Sequence, residues 1–232
     1  MFMYFDPMYL IIMLPALVLA GIATAKTKGT FHRYSRVAAS SRLSGAQAAR
    51  RMLDANGLHD VEIRRVRGFL SDHYNPANRT LNLSPDVYDS QSLSAIGVAC
   101  HEAGHALQHA HGYVPLKMRT AMVPVTQFSS YGAYIFILLG VFMQSMVMAR
   151  FGVWLFGIGF VFALITLPVE WDASARAKRQ MVADGIVIPS EAADAGKVLD
   201  AAFLTYVAAA VSALLTLLYY MMRLGLLGGR ND

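Results

Sequence analysis

Charged residues and cysteine are both scarce in this chain of 232 residues. Asp, Glu, Lys and Arg make up 15% of the sequence and hydrophobic residues 56%, whereas about a quarter of the residues in a soluble domain are charged. This composition argues against an ordinary soluble enzyme and against an intrinsically disordered chain. The single cysteine, Cys100, excludes a secreted module stapled by disulfide bonds.

The chain also lacks the pattern of a nucleic-acid-binding protein, although its net charge is +5. Its basic clusters, at residues 50–51 and 64–67, are not interleaved with aromatic side chains that would stack on bases. Such clusters are more typical of solvated faces or of contacts with lipid headgroups. We therefore predict no nucleic-acid partner.

In place of scattered charge, the chain has four long runs without any charged residue. The runs are residues 7–25, 120–149, 151–169 and 201–222. Each is long enough for a transmembrane helix, which takes about 17 to 25 apolar residues. We predict a mainly α-helical membrane protein with about four transmembrane helices and a small α+β cytoplasmic domain.

The positions of lysine and arginine predict the orientation of these helices. Residues 26–119 hold 13 of them and residues 169–200 hold four, whereas residues 1–25 hold none. The positive-inside rule places the two basic segments in the cytoplasm. The N-terminus, the C-terminus and the link at Arg150 are then expected to face outward.

The first run has a second interpretation, as a signal peptide cleaved after Ala23-Thr24-Ala25. A secretory signal carries basic residues before its apolar core, but here Asp6 is the only charged residue before the run and Lys26 follows it. We favour a retained anchor. The predicted segments are then a helix at 1–25, a cytoplasmic region at 26–119, two helices at 120–169, a cytoplasmic helical segment at 170–200, and a helix with a short tail at 201–232.

The first cytoplasmic segment has the pattern of a small domain with helices and a β-hairpin. The predicted elements are a capped helix from Ser44 to Gly57, a strand at 61–66, a hairpin of strands 69–74 and 80–83, a helical turn at 84–86, and a helix from Ser92 or Ser94 to about His111. About 95 residues make a small domain, which we expect to lean on the membrane helices for burial.

The longer helix contains His101-Glu102-Ala103-Gly104-His105. Residues i and i+4 project from one face of a helix, so the two imidazoles of His101 and His105 can bind one zinc ion. Glu102 lies beside the first ligand, where its carboxylate can act as the general base for a zinc-activated water. This pattern predicts a metal-dependent hydrolase.

A catalytic zinc takes a third protein ligand, and three residues are candidates. His111 has the spacing of the third histidine of metzincins, but Gln108 stands where that motif needs a glycine. His109 continues the helix face but lies two turns beyond His101. Glu170 begins the other predicted cytoplasmic segment, on the same side of the membrane as His101, and we favour it.

Five stretches spread over nearly the whole chain carry a family resemblance. They are residues 5–7 (FDP), 70–76 (LSDHYNP), 100–106 (CHEAGHA), 170–174 (EWDAS) and 201–209 (AAFLTYVAA). With them the sequence resembles the bacterial YugP-like family of membrane zinc metallopeptidases. The resemblance implies one zinc ion per chain, with His101, His105 and Glu170 as ligands and Glu102 as general base.

The same resemblance implies an endopeptidase in the bacterial cytoplasmic membrane, with its active site on the cytoplasmic side and membrane-associated polypeptides as substrates. Its partners are then the lipid bilayer and the polypeptide, and self-association through the small residues 208–213 is left open. By analogy with HtpX proteases, membrane-protein quality control is an expected context. Those gluzincin-like enzymes carry an Asp four residues after the glutamate ligand, where this chain has Ser174, with Asp172 nearby.

Residues of the hairpin are candidates for secondary roles. We predict that residues 80–84 form an exposed edge strand that binds an extended peptide. His73 is a tentative catalytic residue that stabilises the oxyanion, and Asp72 is a candidate support for the site. Ordinary turn chemistry is the competing interpretation of both residues.

Two other functions fit parts of the sequence. An intramembrane site-2-type protease also carries the His-Glu-x-x-His pattern, but within a membrane span and with an aspartate ligand on another span. A non-enzymatic scaffold could hold a structural metal, although structural zinc sites usually have four protein ligands, often cysteines. Glu102 has no use in a structural site, which favours catalysis.

Overall fold

The computed structural model describes residues 6–68 and 71–227, and the part of the chain that it describes is mainly helical. The elements in chain order are α1 (Pro7–Tyr34), α2 (Gly45–Ala55), β1 (Glu62–Arg65), β2 (His73–Asn75), β3 (Thr80–Leu83), α3 (Pro85–Tyr88), α4 (Leu93–Ala110), α5 (Val114–Phe142), α6 (Met146–Ala183) and α7 (Pro189–Arg223). The described residues form two compact units: 6–22, 118–167 and 205–227 make the first, and 23–68, 71–117 and 168–204 make the second.

Among the described residues, four helices are long and apolar enough to cross a membrane, namely α1, α5, α6 and α7. This number confirms the four spans predicted from the uncharged runs. The helices extend beyond those runs, because α6 continues to Ala183 and α7 already begins at Pro189. The predicted cytoplasmic segment at 170–200 therefore consists of the end of one long helix and the start of the next.

The turn between α5 and α6 lies at residues 143–145, and the prediction of a link at Arg150 was wrong. Gln144 adopts a left-handed backbone conformation there, with φ of 52°. Within the first unit the two helices then approach closely, since a Cβ added at Gly140 would lie 2.5 Å from the backbone nitrogen of Ala149. A charged residue thus marks the end of a span only loosely, because the turn forms where the backbone can reverse.

The second unit is built on helix α2 and a three-stranded sheet in the order β1-β3-β2. The predicted capping box is confirmed: the Ser44 hydroxyl accepts from the backbone N–H of Gln47, and the Gln47 side chain accepts from the backbone N–H of Ser44. Strand β3 pairs in parallel with β1 and antiparallel with β2. The prediction that residues 80–84 form an edge strand was therefore wrong, because β3 lies in the middle of the sheet. Strands β1 and β2 form the two edges, and β2 is the one that precedes β3 in the hairpin.

Helix α4 is the buried centre of the second unit. Ser92 caps its start and Gly112, with φ of 65°, follows its end, as the sequence predicts. The largest buried side chains around it come from α2, β3, α4 and α6: Met52, Leu53, Leu81, Leu83, Leu93, Ile96 and Met181. Burying such side chains contributes about 1.5 to 3 kcal/mol each, so the helix that carries the histidines is held on several sides.

Candidate metal centre

Three side chains from two helices converge inside the second unit. His101 and His105 lie one turn apart on α4, and their ring centroids are 4.8 Å apart. Glu170 reaches them from α6, with its Oε2 atom 3.2 Å from Nε2 of His101 and 3.6 Å from Nε2 of His105. One ligand atom from each residue lies within 4.8 Å of the other two. Glu170 is only 1% exposed, so a buried carboxylate faces two imidazole nitrogens.

The sequence brings α4 and α6 together at a glycine. A Cβ added at Gly104 would lie 2.6 Å from the carbonyl oxygen of Ala173, which is closer than a real Cβ approaches a backbone atom. Only glycine permits this contact, since it has no side chain. Gly104 lies between the ligands on α4 and Ala173 lies one turn after Glu170, so this close approach sets the distance across which the three side chains meet.

Each histidine uses its second ring nitrogen for a partner outside the cluster. Nδ1 of His105 lies 2.9 Å from Oε1 of Gln108, and Nδ1 of His101 lies 3.1 Å from Oγ of Ser174. Both rings therefore turn Nε2 towards Glu170. Two imidazole nitrogens and one carboxylate oxygen are ligands that zinc prefers, and three protein ligands leave a fourth position open for catalysis. The residues present fit a catalytic zinc ion.

Glu102 is buried beside this cluster and is held by the sheet. Its Oε2 atom accepts a hydrogen bond of 3.0 Å from the backbone N–H of Tyr74, in the edge strand β2. The hydroxyl of Tyr74 in turn lies 2.9 Å from Nδ1 of His109. The strand thus fixes the direction of the carboxylate next to the first histidine.

Comparison with known proteins agrees with this geometry. Residues 9–225 match the family described as "putative neutral zinc metallopeptidase". The chain belongs to this family. It is 45% identical over 225 residues to "Putative membrane protease YugP" of Bacillus subtilis (strain 168), with 97% of this chain and 99% of that protein covered. The resemblance noted from the motifs is thereby confirmed. No solved structure matches the chain.

The other two histidines considered as ligands have partners outside the cluster. His109 contacts the Tyr74 hydroxyl, as described above, and Nδ1 of His111 lies 3.2 Å from the guanidinium of Arg176. Within the described residues, the group arranged to hold a metal ion consists of His101, His105 and Glu170. The structure thus brings together the ligand set favoured from the sequence.

The hairpin residues with tentative roles make contacts of their own. Both ring nitrogens of His73 have partners, the carbonyl oxygen of Ser71 at 2.9 Å and the amide of Asn82 at 3.1 Å. Asp72 accepts hydrogen bonds from the backbone N–H and the hydroxyl of Ser84. Burial raises the pKa of Asp72; the hydrogen bonds from Ser84 oppose this shift, and the nearby charge of Glu102 adds to it. Asp72 therefore ties β2 to the end of β3.

Protonation at the site follows from the same contacts. Burial lowers the pKa of His105, but the hydrogen bond and the charge of Glu170 outweigh burial, so the pKa lies above its usual value. Burial also raises the pKa of the Cys100 thiol. A buried thiol with a raised pKa is inert, which agrees with the interpretation of Cys100 as a small residue packed in the helix.

Sequence reasoning named Ser174 as the residue at the position of the Asp of gluzincin-like enzymes, without a partner, and it did not identify the partners of His105 or of Glu102. Gln108 follows His105 by three residues and Ser174 follows Glu170 by four, and both spacings put side chains on one helix face. That spacing was a usable signal for Gln108 and Ser174. The backbone N–H of Tyr74 carries no signal in the sequence, since every residue except proline has one.

Proposed function

We propose that the protein is an integral-membrane zinc endopeptidase that hydrolyses polypeptides at the cytoplasmic face of the bacterial membrane. The observation that carries this proposal is the convergence of Nε2 of His101 and Nε2 of His105 on the buried carboxylate of Glu170. Glu102, held beside them, supplies the base that a structural metal site would not need. Membership of a zinc metallopeptidase family supports the same reaction class.

In this proposal His101, His105 and Glu170 hold one zinc ion in each chain. When bound, zinc polarises the scissile carbonyl and lowers the pKa of a water molecule to about 7. Glu102 accepts a proton from the attacking water and passes it to the nitrogen of the leaving amine. General bases of this kind contribute about 10²- to 10⁴-fold to the rate. The arrangement of one glutamate next to the first histidine and another on a separate helix is the gluzincin type.

The outer edge of strand β2 supports a substrate-binding mode. Tyr74 pairs with Leu81 in β3, and its backbone N–H points instead to Glu102. An extended peptide that adds to this edge would lie beside the base. Strand β2 thus takes the role first predicted for residues 80–84. The role of His73 as an oxyanion donor stays a prediction, in which substrate binding frees its ring from Asn82.

Charge along the sequence supports a cytoplasmic location for the active site. The segments that hold the ligands carry most of the lysine and arginine residues, 13 in 26–119 and four in 169–200. Glu170 directly follows an uncharged run in the sequence, which supports membrane-associated polypeptides as substrates. Helix α4 is not among the four described helices suited to span a membrane, which disfavours a site-2-type intramembrane protease. Quality control of membrane proteins is the context that we propose by analogy with HtpX.

The proposal is tested with the full chain purified in detergent. We expect about one zinc ion per chain by elemental analysis, and chelator-sensitive cleavage of fluorescently labelled casein. Glu102→Gln should keep the zinc and lose at least about 100-fold in rate, since it removes the general base. Glu62→Gln is the matched control, because that exposed glutamate pairs with Arg64 on the surface of β1 and its replacement should behave as the parent.

Other results would redirect the assignment. A parent protein without zinc would contradict the metal centre. Full proteolytic activity of Glu102→Gln would contradict the role of Glu102 as general base. Full rescue of a deletion phenotype by this variant would favour the scaffold with a structural metal.

The orientation has its own test in a Cys100→Ala background. Asp86→Cys should react with a membrane-impermeant thiol reagent in inverted vesicles, and Gln144→Cys should react in intact cells. Both residues are exposed. The opposite labelling pattern would place the active site outside.

A further inference from the structure

Gln108 is fully buried, and its amide binds groups on two helices. Its Oε1 atom lies 2.9 Å from Nδ1 of His105 on the same helix, α4. Its Nε2 atom donates to the carbonyl oxygen of Val169 at 2.8 Å and to Oδ2 of Asp172 at 2.9 Å, both on α6. Val169 and Asp172 flank Glu170 in sequence. One side chain therefore connects the second histidine of the metal centre with the segment that supplies the carboxylate.

These contacts allow a single orientation of the amide. A carbonyl and a carboxylate oxygen only accept hydrogen bonds, so the amide nitrogen of Gln108 must face Val169 and Asp172. The amide oxygen must then face His105, and because this oxygen only accepts, Nδ1 of His105 must carry a proton. In the neutral ring, Nε2 of His105 therefore keeps the lone pair that a metal needs, and this atom faces Glu170.

Asp172 stabilises this orientation of the Gln108 amide. Its Oδ2 atom also accepts from Nε of Arg176 at 2.6 Å, and Arg176 in turn contacts His111. A hydrogen bond to a carboxylate is roughly twice as strong as one between neutral groups. Rotating the amide by 180° would place its oxygen against two other acceptors, the carboxylate of Asp172 and the carbonyl of Val169. The ion pair with Arg176 keeps Asp172 a charged acceptor, and this disfavours the rotated amide.

The partner of His101 is of a different kind. The hydroxyl of Ser174 can both donate and accept, so the contact with Nδ1 of His101 is compatible with either tautomer of that ring. By contrast, the series of hydrogen bonds from Arg176 through Asp172 and Gln108 fixes a single tautomer of His105. The two histidines are therefore supported unequally.

We propose that Gln108 is a positioning residue of the metal centre, which fixes the tautomer and direction of His105 and couples them to Asp172 on the helix of the third ligand. This inference rests on the proposed zinc site. In the sequence, Gln108 is the residue that argues against a metzincin third-ligand turn. In the structure Gln108 lies within the helix, and its side chain accepts a hydrogen bond from Nδ1 of His105, the ring nitrogen that faces away from Glu170.

The test compares zinc affinities of the full chain in detergent, measured by competition with a fluorescent chelator. Gln108→Met keeps a similar volume but makes no hydrogen bond, and we expect its Kd for zinc to rise about 10- to 100-fold, as is typical when an outer partner of a ligand is lost. Gln180→Met is the matched control. Gln180 lies on α6 and donates to Asn56, so its replacement should leave the Kd unchanged.

A double variant tests the coupling to α6. Gln108→Glu keeps an acceptor for His105 but puts a carboxylate against Asp172, and we expect a weaker affinity. Adding Asp172→Asn supplies an amide donor opposite that carboxylate, with the polarity of the bond reversed, and should recover at least about tenfold of the loss. Recovery of the zinc affinity without a matching recovery of the metal-free thermal midpoint would not follow from a merely structural role, in which the two measurements would change together.

The thermal unfolding midpoint of each metal-free variant separates folding from metal binding. A folded Gln108→Met protein with a zinc Kd within about twofold of the parent value would overturn the inference and leave the zinc enzyme standing. If Gln108→Met failed to fold, the double variant would decide. No recovery of zinc affinity on adding Asp172→Asn to Gln108→Glu would then overturn the inference. A parent protein that takes up no zinc would instead overturn the proposed function together with this inference.

Discussion

The backbone N–H of Tyr74 donates a hydrogen bond to Oε2 of Glu102 across 3.0 Å, and it joins the edge of a sheet to the proposed general base. A carboxylate has room for several hydrogen bonds, so Glu102 can hold this contact with one lone pair and accept a proton with another. If β2 binds substrate as proposed, the same strand also orients the proposed base, and binding and catalysis share one backbone position.

This relationship predicts the effect of removing a single backbone donor. Tyr74→Pro lacks the N–H, and proline is tolerated on an edge strand, whereas Tyr74→Ala and Tyr74→Phe keep it. A hydrogen bond to a charged group contributes about 1.5 to 3 kcal/mol. We therefore expect kcat/KM of Tyr74→Pro to fall at least about tenfold below that of Tyr74→Ala, with unchanged zinc content. Equal rates for the two variants would contradict an orienting role of the N–H.

A second prediction concerns the third ligand. Glu170→Gln preserves volume but removes the negative charge that faces the two histidines, and we expect the Kd for zinc to rise by more than about 100-fold, beyond the loss of an outer partner. Chelator competition on the detergent-solubilised protein measures it. Glu191→Gln, at a glutamate that binds Ser40, serves as the control. An unchanged zinc affinity of Glu170→Gln would instead favour His109 or His111 as the third ligand.

The contact between α4 and α6 predicts an unusual sensitivity to one methyl group. Gly104→Ala forces a Cβ to within 2.6 Å of the Ala173 carbonyl oxygen unless the helices separate, and overpacking of this kind costs about 1 to 3 kcal/mol. Both the thermal midpoint and the zinc affinity should fall. Gly29→Ala, where nothing lies within 4 Å of the added Cβ, should instead stabilise helix α1 by up to about 1 kcal/mol. Similar behaviour of the two variants would argue against the close approach.

The raised pKa of His105 predicts opposite pH trends for metal binding and for the metal-free fold. Zinc needs the neutral imidazole, so its affinity should decline as the pH falls through a pKa that lies above the usual 6.5. The metal-free protein gains stability from protonated His105 beside Glu170. This gain is present in full below the unfolded pKa and is lost as the pH rises through the folded pKa. Titration of Kd and of the thermal midpoint between about pH 5.5 and 8.5 measures both trends, and a zinc Kd that is constant over this range would contradict the first.

Local features were predictable where a few neighbouring residues decide the structure. The capping box at Ser44, the helix start at Ser92 and the stop at Gly112 depend on side chains and backbone angles within one turn. The number of spans followed from the length of the uncharged runs, since a bilayer requires that length. The turn at Gln144 was not predicted, because the composition of an apolar run does not indicate which of its residues adopts a left-handed conformation.

The tertiary contacts followed less directly from the sequence. His101, Glu102 and His105 were readable because helix geometry alone places residues i and i+4 together. Glu170 was favoured through the charge pattern and the family resemblance, but its distance from His101 depends on the packing of α6 against Gly104. The order of the strands depends on the pairing of β1 with β3, and this long-range pairing placed β3 in the middle of the sheet instead of at its edge.

By itself the sequence determined that four runs are long and apolar enough to span a membrane, and that one helix carries two histidines on one face with Glu102 between them in the sequence. Both properties arise from short-range periodicity and from the length of apolar runs. Only the tertiary structure decided which side chains form hydrogen bonds to the proposed ligands and hold them in place, since Gln108 donates to Val169 and Asp172 about 60 residues away in the sequence. Buried polar groups must find partners, but the sequence does not say which of the available groups will be near.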